Sequence, residues 1–358
     1  MNKRGDIGDI KALLQGRIRD LLATLVPDGA LHHGYWFGRN PARSDNKPGS
    51  FWIICERPGK TPGAWRDEAT GDKGDVIDLI AYVRNEDRAG ALKWARAWLN
   101  YEDLPPAQVA AVRQRNDRQR EERERIAEKQ LEENRRRAMA VYLEAKKGDF
   151  ATSIAARYLA TRGIDLGRLG RVPGSLGSLA RGKHTETNTF WPVMCAGMTG
   201  PDGKIWAVHR TFLQLDGSGK APVTPVRKIW PSFAGAAIHL WRGETSMRPK
   251  EAAKHGLLDT LLICEGIEDG LSVAMARPDL RIWAAGALGN VANVVLPDCS
   301  CTVIVAADND WGKPQAEKQL DAALQAIART GRKVFVARSP VGKDFNDCLM
   351  AQTQEAAA

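Results

Sequence analysis

The chain has 358 residues, 43% of them hydrophobic and 27% charged, which is the balance of a soluble globular protein with room for two or three domains and not that of a disordered or fibrous one. No window approaches the roughly 18 consecutive apolar residues of a membrane span, and the opening MNKRGDIGDIKALL interrupts any signal-peptide stretch with acids, so a cytoplasmic protein without a membrane partner is expected. Six cysteines without a C-x-x-C pair exclude a disulfide framework and a four-cysteine zinc site, and the net charge of +9 with a pI near 9.3 admits a polyanionic partner.

In chain order, apolar residues from Ile7 to Leu25 recur at helical spacing until Pro27-Asp28-Gly29 ends the pattern. From His32 to about Ala69 the sequence is turn-rich and aromatic, with short alternating runs such as Ser50 to Cys55 that suit a small antiparallel sheet. Gly71 to Gly74 leads into a helix carrying Val76, Ile77, Leu79, Ile80 and Val83, and a further helix covers Ala89 to Leu99. Between Ala107 and Lys147 nearly every residue favours helix, yet charges alternate in sign and few apolar residues form a seam, which describes a solvated connector. A compact region begins near Ile154, and short β-like runs fill Phe190 to Leu240, including Ile205 to Leu215 and Val223 to Ile229 around the turn signal Asp216-Gly217-Ser218-Gly219.

After residue 254 strand-like and helical runs alternate: Leu257 to Cys264, then Glu268 to Ala276, Ile282 to Ala285, Thr302 to Ala307, Gln315 to Arg329, and Lys333 to Ala337. Alternation of this kind builds a parallel, doubly wound sheet whose functional residues gather at the carboxyl ends of strands. Acids stand at those ends. Glu265 follows the first strand in ICEGIEDG, with Glu268 and Asp269 in the next helical turn; Asp308 and Asp310 follow another in AADNDWGK; Asp344 and Asp347 follow a third in GKDFNDCL. Any one of these acids serves equally well as a helix cap or salt-bridge partner. Together they would repel one another without a cation, and hard carboxylate oxygens suit Mg²⁺ or Mn²⁺. Charge is divided in the same sense: residues 151–254 hold 15 basic and 6 acidic residues, whereas residues 255–358 hold 9 and 13.

The strings ICEGIEDGLS, AADND and GKDFNDCL resemble the Toprim domain of bacterial (DnaG-like) primases over about residues 256 to 350. The basic stretch VHRTFLQLDGSGKA and RKIWPSFAGAAIHL is similar to the region preceding Toprim in primases of phages, plasmids and other mobile elements. Near the N-terminus, Asn46-Lys47-Pro48-Gly49-Ser50-Phe51 and Gly74-Asp75-Val76-Ile77-Asp78-Leu79 resemble the zinc-ribbon module of such primases, but the stretches GRNPARSD and AWRDEATG stand where metal ligands would be. His32, His33 and Cys55 lack paired ligand spacing, so no structural zinc is expected, and the aromatic residues are expected to replace it as the staple of the small sheet.

The resemblance implies a multi-domain α/β protein. A zinc-ribbon-like α+β module would occupy residues 1–104, a charged helical connector 105–150, a basic α+β subdomain 151–254, and a doubly wound parallel Toprim sheet 255–350, with a tail at 351–358. It implies a DNA primase that joins ribonucleoside triphosphates on a single-stranded DNA template, with a separate replicative helicase as a further partner, since no G-x-x-x-x-G-K-[ST] motif and no room for a helicase-interacting domain follow. Glu265, Asp308 and Asp310 would be catalytic and metal-binding, joined by Glu268, Asp344 and Asp347 as further ligands of Mg²⁺ or Mn²⁺. The cations available to nucleotide or template are His209, Arg210, Lys220, Arg227, Lys228 and Lys343; His209 and Arg210 would point to opposite faces of a strand. Trp206, Trp230 and Trp241 are candidates for base stacking, although tryptophans in a β-rich domain also serve as core. Two alternatives share these acids: a Toprim nuclease, and a non-catalytic accessory protein that binds single-stranded nucleic acid.

Overall fold

The computed structural model describes residues 3–45, 48–101, 106–309 and 313–357. Two compact units divide between Ala127 and Glu128, inside one long helix.

The first unit opens with two helices, α1 (Lys3–Gly16) and α2 (Ile18–Leu25), where the periodicity predicts one. Arg17 leaves helical geometry at φ −117°, ψ 31°, next to Gly16, whose backbone entropy weakens a helix interior. Five short antiparallel strands follow in sequential order, β1 (Ala30–His32), β2 (Tyr35–Phe37), β3 (Phe51–Ile54), β4 (Trp65–Asp67) and β5 (Lys73–Gly74). His33 and Gly34, both at positive φ, make the tight β1–β2 turn. Helices α3 (Val76–Arg84) and α4 (Arg88–Leu99) complete the unit, and α3 starts at a reciprocal capping box between Asp75 and Asp78. Phe51 and Trp65 pack edge to face with centroids 5.8 Å apart, and Tyr82 of α3 lies 4.5 Å from Trp65.

The aromatics share the stapling role with a polar centre. Asp67, fully buried at the end of β4, accepts hydrogen bonds from Arg43 Nε at 2.7 Å, Asn40 Nδ2 at 2.6 Å and the Ala69 N–H at 2.9 Å. The Asn40 amide also reaches the Tyr82 hydroxyl at 2.9 Å. Arg43 and Asp67 thus tie together the loops GRNPARSD and WRDEATG, where the resemblance puts metal ligands. Asn46 and Lys47 lie outside the described residues.

Helix α5 (Pro106–Ala145) carries the alternating charges into the second unit, followed by a short 3-10 turn at 150–152 and α6 (Ile154–Thr161). Four antiparallel strands come next in sequential order: β6 (Leu176–His184), β7 (Thr189–Thr199), β8 (Ile205–Phe212) and β9 (Arg227–Trp230). Strand β6 is absent from the sequence expectation because LGSLARGKH carries Gly and Ser in place of an apolar alternation. Its Gly177 is required by packing, since a Cβ there would stand 2.7 Å from the Ala145 carbonyl oxygen at the end of α5.

The remaining elements are β10 (Ile238–Arg242), α7 (Pro249–Lys254), β11 (Thr260–Cys264), α8 (Ile267–Ala276), β12 (Arg281–Ala284), α9 (Leu288–Val291), β13 (Thr302–Ala307), α10 (Pro314–Ala328), β14 (Lys333–Arg338) and α11 (Phe345–Ala357). They form a sheet in the order β10-β12-β11-β13-β14, parallel except for β10, which runs antiparallel to β12. Both faces are covered. Leu261, Ile263, Val303 and Val305 meet Leu320, Ala323 and Ile327 of α10, whereas Leu262, Cys264 and Ile282 meet Ile267 and Leu271 of α8. That is why these strands read as unbroken apolar runs. The α8-side core is continuous with Met194, Ala196, Met198 and Ala207 of the antiparallel sheet. Among the described residues no helix is long and apolar enough to cross a membrane.

The polar centre of the first unit generates a pH prediction. The Arg43 guanidinium holds the Asp67 carboxyl down at about 2, against an ordinary value of 3.8. A depressed carboxylate stabilises the fold above about pH 4, and that stability is lost as pH falls through 2. Asp67→Asn is expected to cost about 2 kcal/mol at pH 7, and urea unfolding at successive pH values should show the gap from wild type closing toward pH 2.

Candidate active site

The parallel strands deliver their acids to one edge. Glu265 follows β11 directly, and its backbone carbonyl accepts the N–H of Gly286 beyond β12 at 3.0 Å. Gly266 then starts α8; a Cβ there would stand 3.0 Å from an Asp269 carboxylate oxygen, so glycine lets that carboxylate lie close to the turn. Asp308 follows β13, with its Oδ2 3.2 Å from Lys343 Nζ and its backbone carbonyl accepting from Arg338 at 2.7 Å. A cavity of about 160 Å³ is lined by Glu265, Asp308, Asn309, Glu317 and Arg338 above Leu320.

The third acidic loop is stitched to the second by a neutral side chain. Asn309 donates its backbone N–H to the Lys343 carbonyl at 2.8 Å and its amide to the carbonyls of Ser339 and Gly342, at 2.9 and 3.0 Å. Asp344 caps α11 by accepting the Asp347 N–H at 2.9 Å, and Asp347 in turn accepts the Lys343 N–H at 2.8 Å. Asp347 is therefore committed to loop geometry. Gly342, at φ +70°, admits no Cβ, which would meet the Asp347 Cβ at 2.5 Å.

The two acids of the first α8 turn take opposite tasks. Glu268 is buried and receives the Tyr158 hydroxyl at 2.6 Å and Lys220 Nζ at 2.9 Å. Burial alone would raise its pKa; the Lys220 ammonium and the Tyr158 hydroxyl outweigh burial and hold it at about 2. Asp269 faces the acids instead. Burial, then the charges of Asp344 and Asp308, push its carboxyl up to about 7, against the Asn346 N–H that reaches it at 3.2 Å. Asn346, itself fully buried, also donates its amide to the Arg162 carbonyl and the Ser272 hydroxyl at 2.8 and 3.0 Å. Sequence reasoning named Asp269 among the acids of this edge but counted Glu268, not Asp269, as a ligand, and did not single out Asn346. The available signal was spacing, since Asp269 follows Glu265 by four residues, about one helical turn.

Glu265 and Asp308 line one cavity and Asp269 lies in electrostatic reach of Asp308 and Asp344, with Lys343 paired to Asp308; Asp310 lies outside the described residues. The predicted cations divide by sheet face. On β8 and β9, His209 and Arg227 face α8, and both act electrostatically with Lys220 and Glu268 around Tyr158. His209 is a correction to the binding set: it is 4% exposed, its Nδ1 has no hydrogen-bond partner, and burial lowers its pKa to about 4, so it sits beneath the surface as a neutral ring. Arg210 and Lys228 lie opposite each other on the other face, where Lys228 is paired with Glu186 and largely covered. That pairing takes Lys228 off the crevice side. Arg227 remains exposed on it.

All donors at the crevice are carboxylate oxygens, and the proton held by Asp269 to about pH 7 marks an anionic group short of positive charge. The donor chemistry fits a hard divalent cation. Among the described residues, no three His, Cys, Asp or Glu side chains converge closely enough to enclose one.

The Glu268 anchor can be tested by stability. Lys220→Met leaves a buried carboxylate with one partner and is expected to cost about 2 kcal/mol, below the full penalty of a stranded buried charge because Lys220 is 36% exposed. Thermal unfolding should show most of the loss recovered in Lys220→Met/Glu268→Gln.

Comparison with known proteins adds the family context. Residues 260–355 match the model of the Toprim domain, and residues 132–240 match that of a domain of unknown function (DUF7146). No curated protein matches the chain. Among solved structures it is similar to the zinc-binding and RNA polymerase domains of the Aquifex aeolicus primase, at 14% identity over 98% of this chain and 83% of that one, with a TM-score of 0.39. The RNA polymerase domain of Mycobacterium tuberculosis primase gives 16% identity over 64% and 81%, TM-score 0.39. The primase fragment of the bacteriophage T7 primase-helicase protein gives 20% over 55% and 71%, TM-score 0.36. The carboxylate edge built by β11, β13 and α11 therefore belongs to a Toprim domain.

Proposed function

We propose that this chain is a DNA primase, joining ribonucleoside triphosphates into short primers on single-stranded DNA. The observation that supports this reading is a cavity lined by Glu265 and Asp308 at the carboxyl edge of a Toprim sheet, with Asp269 in electrostatic reach of Asp308 and Asp344. Phosphoryl transfer asks a protein chiefly for positioning and for charge at the transferring phosphate. The acids supply anionic positions and Arg227 a guanidinium suited to phosphate oxygens.

Glu265, Asp269 and Asp308 would hold Mg²⁺ or Mn²⁺, with Asp344 beside them. When bound, such ions stabilise charge on the attacking and leaving oxygens of an in-line displacement. The chain's own residues set the stage for that chemistry. Glu265 would serve as the general acid or base, Arg338 and Asn309 hold the backbone around Asp308 in place, and Lys343 neutralises Asp308. The Glu268–Lys220–Tyr158 group holds α8 against the basic sheet, so that Asp269 keeps its orientation.

The reading predicts that purified protein, given single-stranded DNA, labelled ribonucleotides and Mg²⁺ or Mn²⁺, makes short template-dependent oligonucleotides resolvable by length. Asp308→Ala and Asp269→Asn should each reduce synthesis by about 100-fold or more, the scale for removing a group that stabilises transition-state charge. Degradation of the template that vanishes in the same variants would instead assign a nuclease. DNA binding without turnover, unchanged in both variants, would assign an accessory protein.

A further inference from the structure

A groove of about 630 Å³ opens beside the carboxylate crevice, between the end of β9 with the loop behind it and the β12–α9 connection. It lies close to the crevice: Leu288 lines the crevice cavity while its neighbours Ala287 and Gly289 line the groove. Its character differs sharply from that of its neighbour. None of the residues lining it is charged: Trp230 and Phe233 supply aromatic surface, and Asn134, Ser232 and Asn293 supply amides and a hydroxyl. Trp230 is 38% exposed, in a unit whose Trp206 and Trp283 are covered. Positive charge stands at the margin. Arg135, next to Asn134, lies over Trp206 at 3.8 Å from the ring centroid, whereas Arg227, three residues before Trp230 on β9, points to the opposite face of the strand.

An uncharged floor with aromatic faces and side-chain amides, with the Arg135 guanidinium nearby, suits a ligand that is flat and polar in the middle and anionic along its border. Nucleobases on a phosphate backbone have that form, and aromatic side chains take up bases of any sequence through their π-faces. At about 630 Å³ the groove is larger than one base requires, which favours several bases of a strand over a single nucleotide. We infer that Trp230 and Phe233 form a stacking platform for bases of the single-stranded template next to the carboxylate site. This rests on the primase reading for the name of the strand as template; the stacking itself does not need catalysis.

The test is equilibrium binding of a labelled single-stranded oligodeoxynucleotide to the full chain by fluorescence anisotropy, without ribonucleotides. Trp230→Ala should weaken binding about tenfold, Trp230→Phe should stay within about threefold of wild type, and the salt dependence of binding should keep its slope because no phosphate contact is lost. On an oligonucleotide with abasic sites, wild type and Trp230→Ala should bind alike. Asn293→Asp, a charge placed at an exposed groove position, should also weaken binding to the intact strand, and thermal unfolding of each variant identifies any that fails to fold. Equal binding by wild type and Trp230→Ala, an equal loss on the abasic strand, or a loss confined to ATP affinity in a parallel measurement would each overturn the inference, the last by giving the platform to the nucleotide. Protein that makes no primers yet shows Trp230-dependent binding would retire the primase reading and keep the platform; full primer synthesis with Trp230-independent binding would do the reverse.

Discussion

Like charges gathered in a partly buried crevice repel, and the second unit is organised around holding them there. Burial and two neighbouring carboxylates bring Asp269 to a pKa of about 7, so the fold keeps a proton on one acid near neutrality. The connections that hold the acidic loops in place are largely neutral. Asn309 spans from the β13 loop to the loop before α11, and Asn346 spans from α11 to α8 and to the end of α6. Amides can donate and accept without adding to the crowd of charge, which is why asparagine stands between the aspartates in both AADND and DFND.

The antiparallel sheet solves a related problem by its two-residue period. One face of β8 and β9 supplies His209, Thr211 and Arg227 toward Glu268, while the other supplies Val208 and Phe212 to a separate core with α5 and carries Arg210 and Lys228. Basic composition in this segment is thus divided between a face that meets the crevice and one that does not. Net charge along the sequence measures the total and not the division.

The parallel sheet was legible because strands covered on both faces write themselves as apolar runs, and acids after three of the four runs mark the functional edge. Strand β6 was not, since its Gly177 is selected by the approach of Ala145 and not by any strand preference. The break at Arg17 is a local departure that apolar periodicity passes over. The choice between Glu268 and Asp269 was illegible for a different reason: neighbouring helical residues point about 100° apart, and what claims Glu268 is Tyr158, 110 positions away. His209 and Arg210 were rightly opposed, but which one faced the acids depended on how the sheet docks on α8. In the first unit the aromatic core was visible, whereas the Arg43–Asp67 contact joins loops with no periodicity to read.

Strand β10 bears on how this protein evolves and is handled. It lies in the segment that precedes the Toprim match, yet it pairs with β12, all four of whose residues are buried. A fragment begun at residue 255 would therefore uncover a row of backbone donors and acceptors on an apolar strand, the kind of edge along which chains associate. The boundary where modules could be exchanged by recombination lies before Ile238, not at the start of the carboxylate domain. Whatever precedes the Toprim sheet in such a chain must bring a strand of its own to close it, so the basic subdomain serves as a structural lid on one margin of its partner as well as its cationic wall.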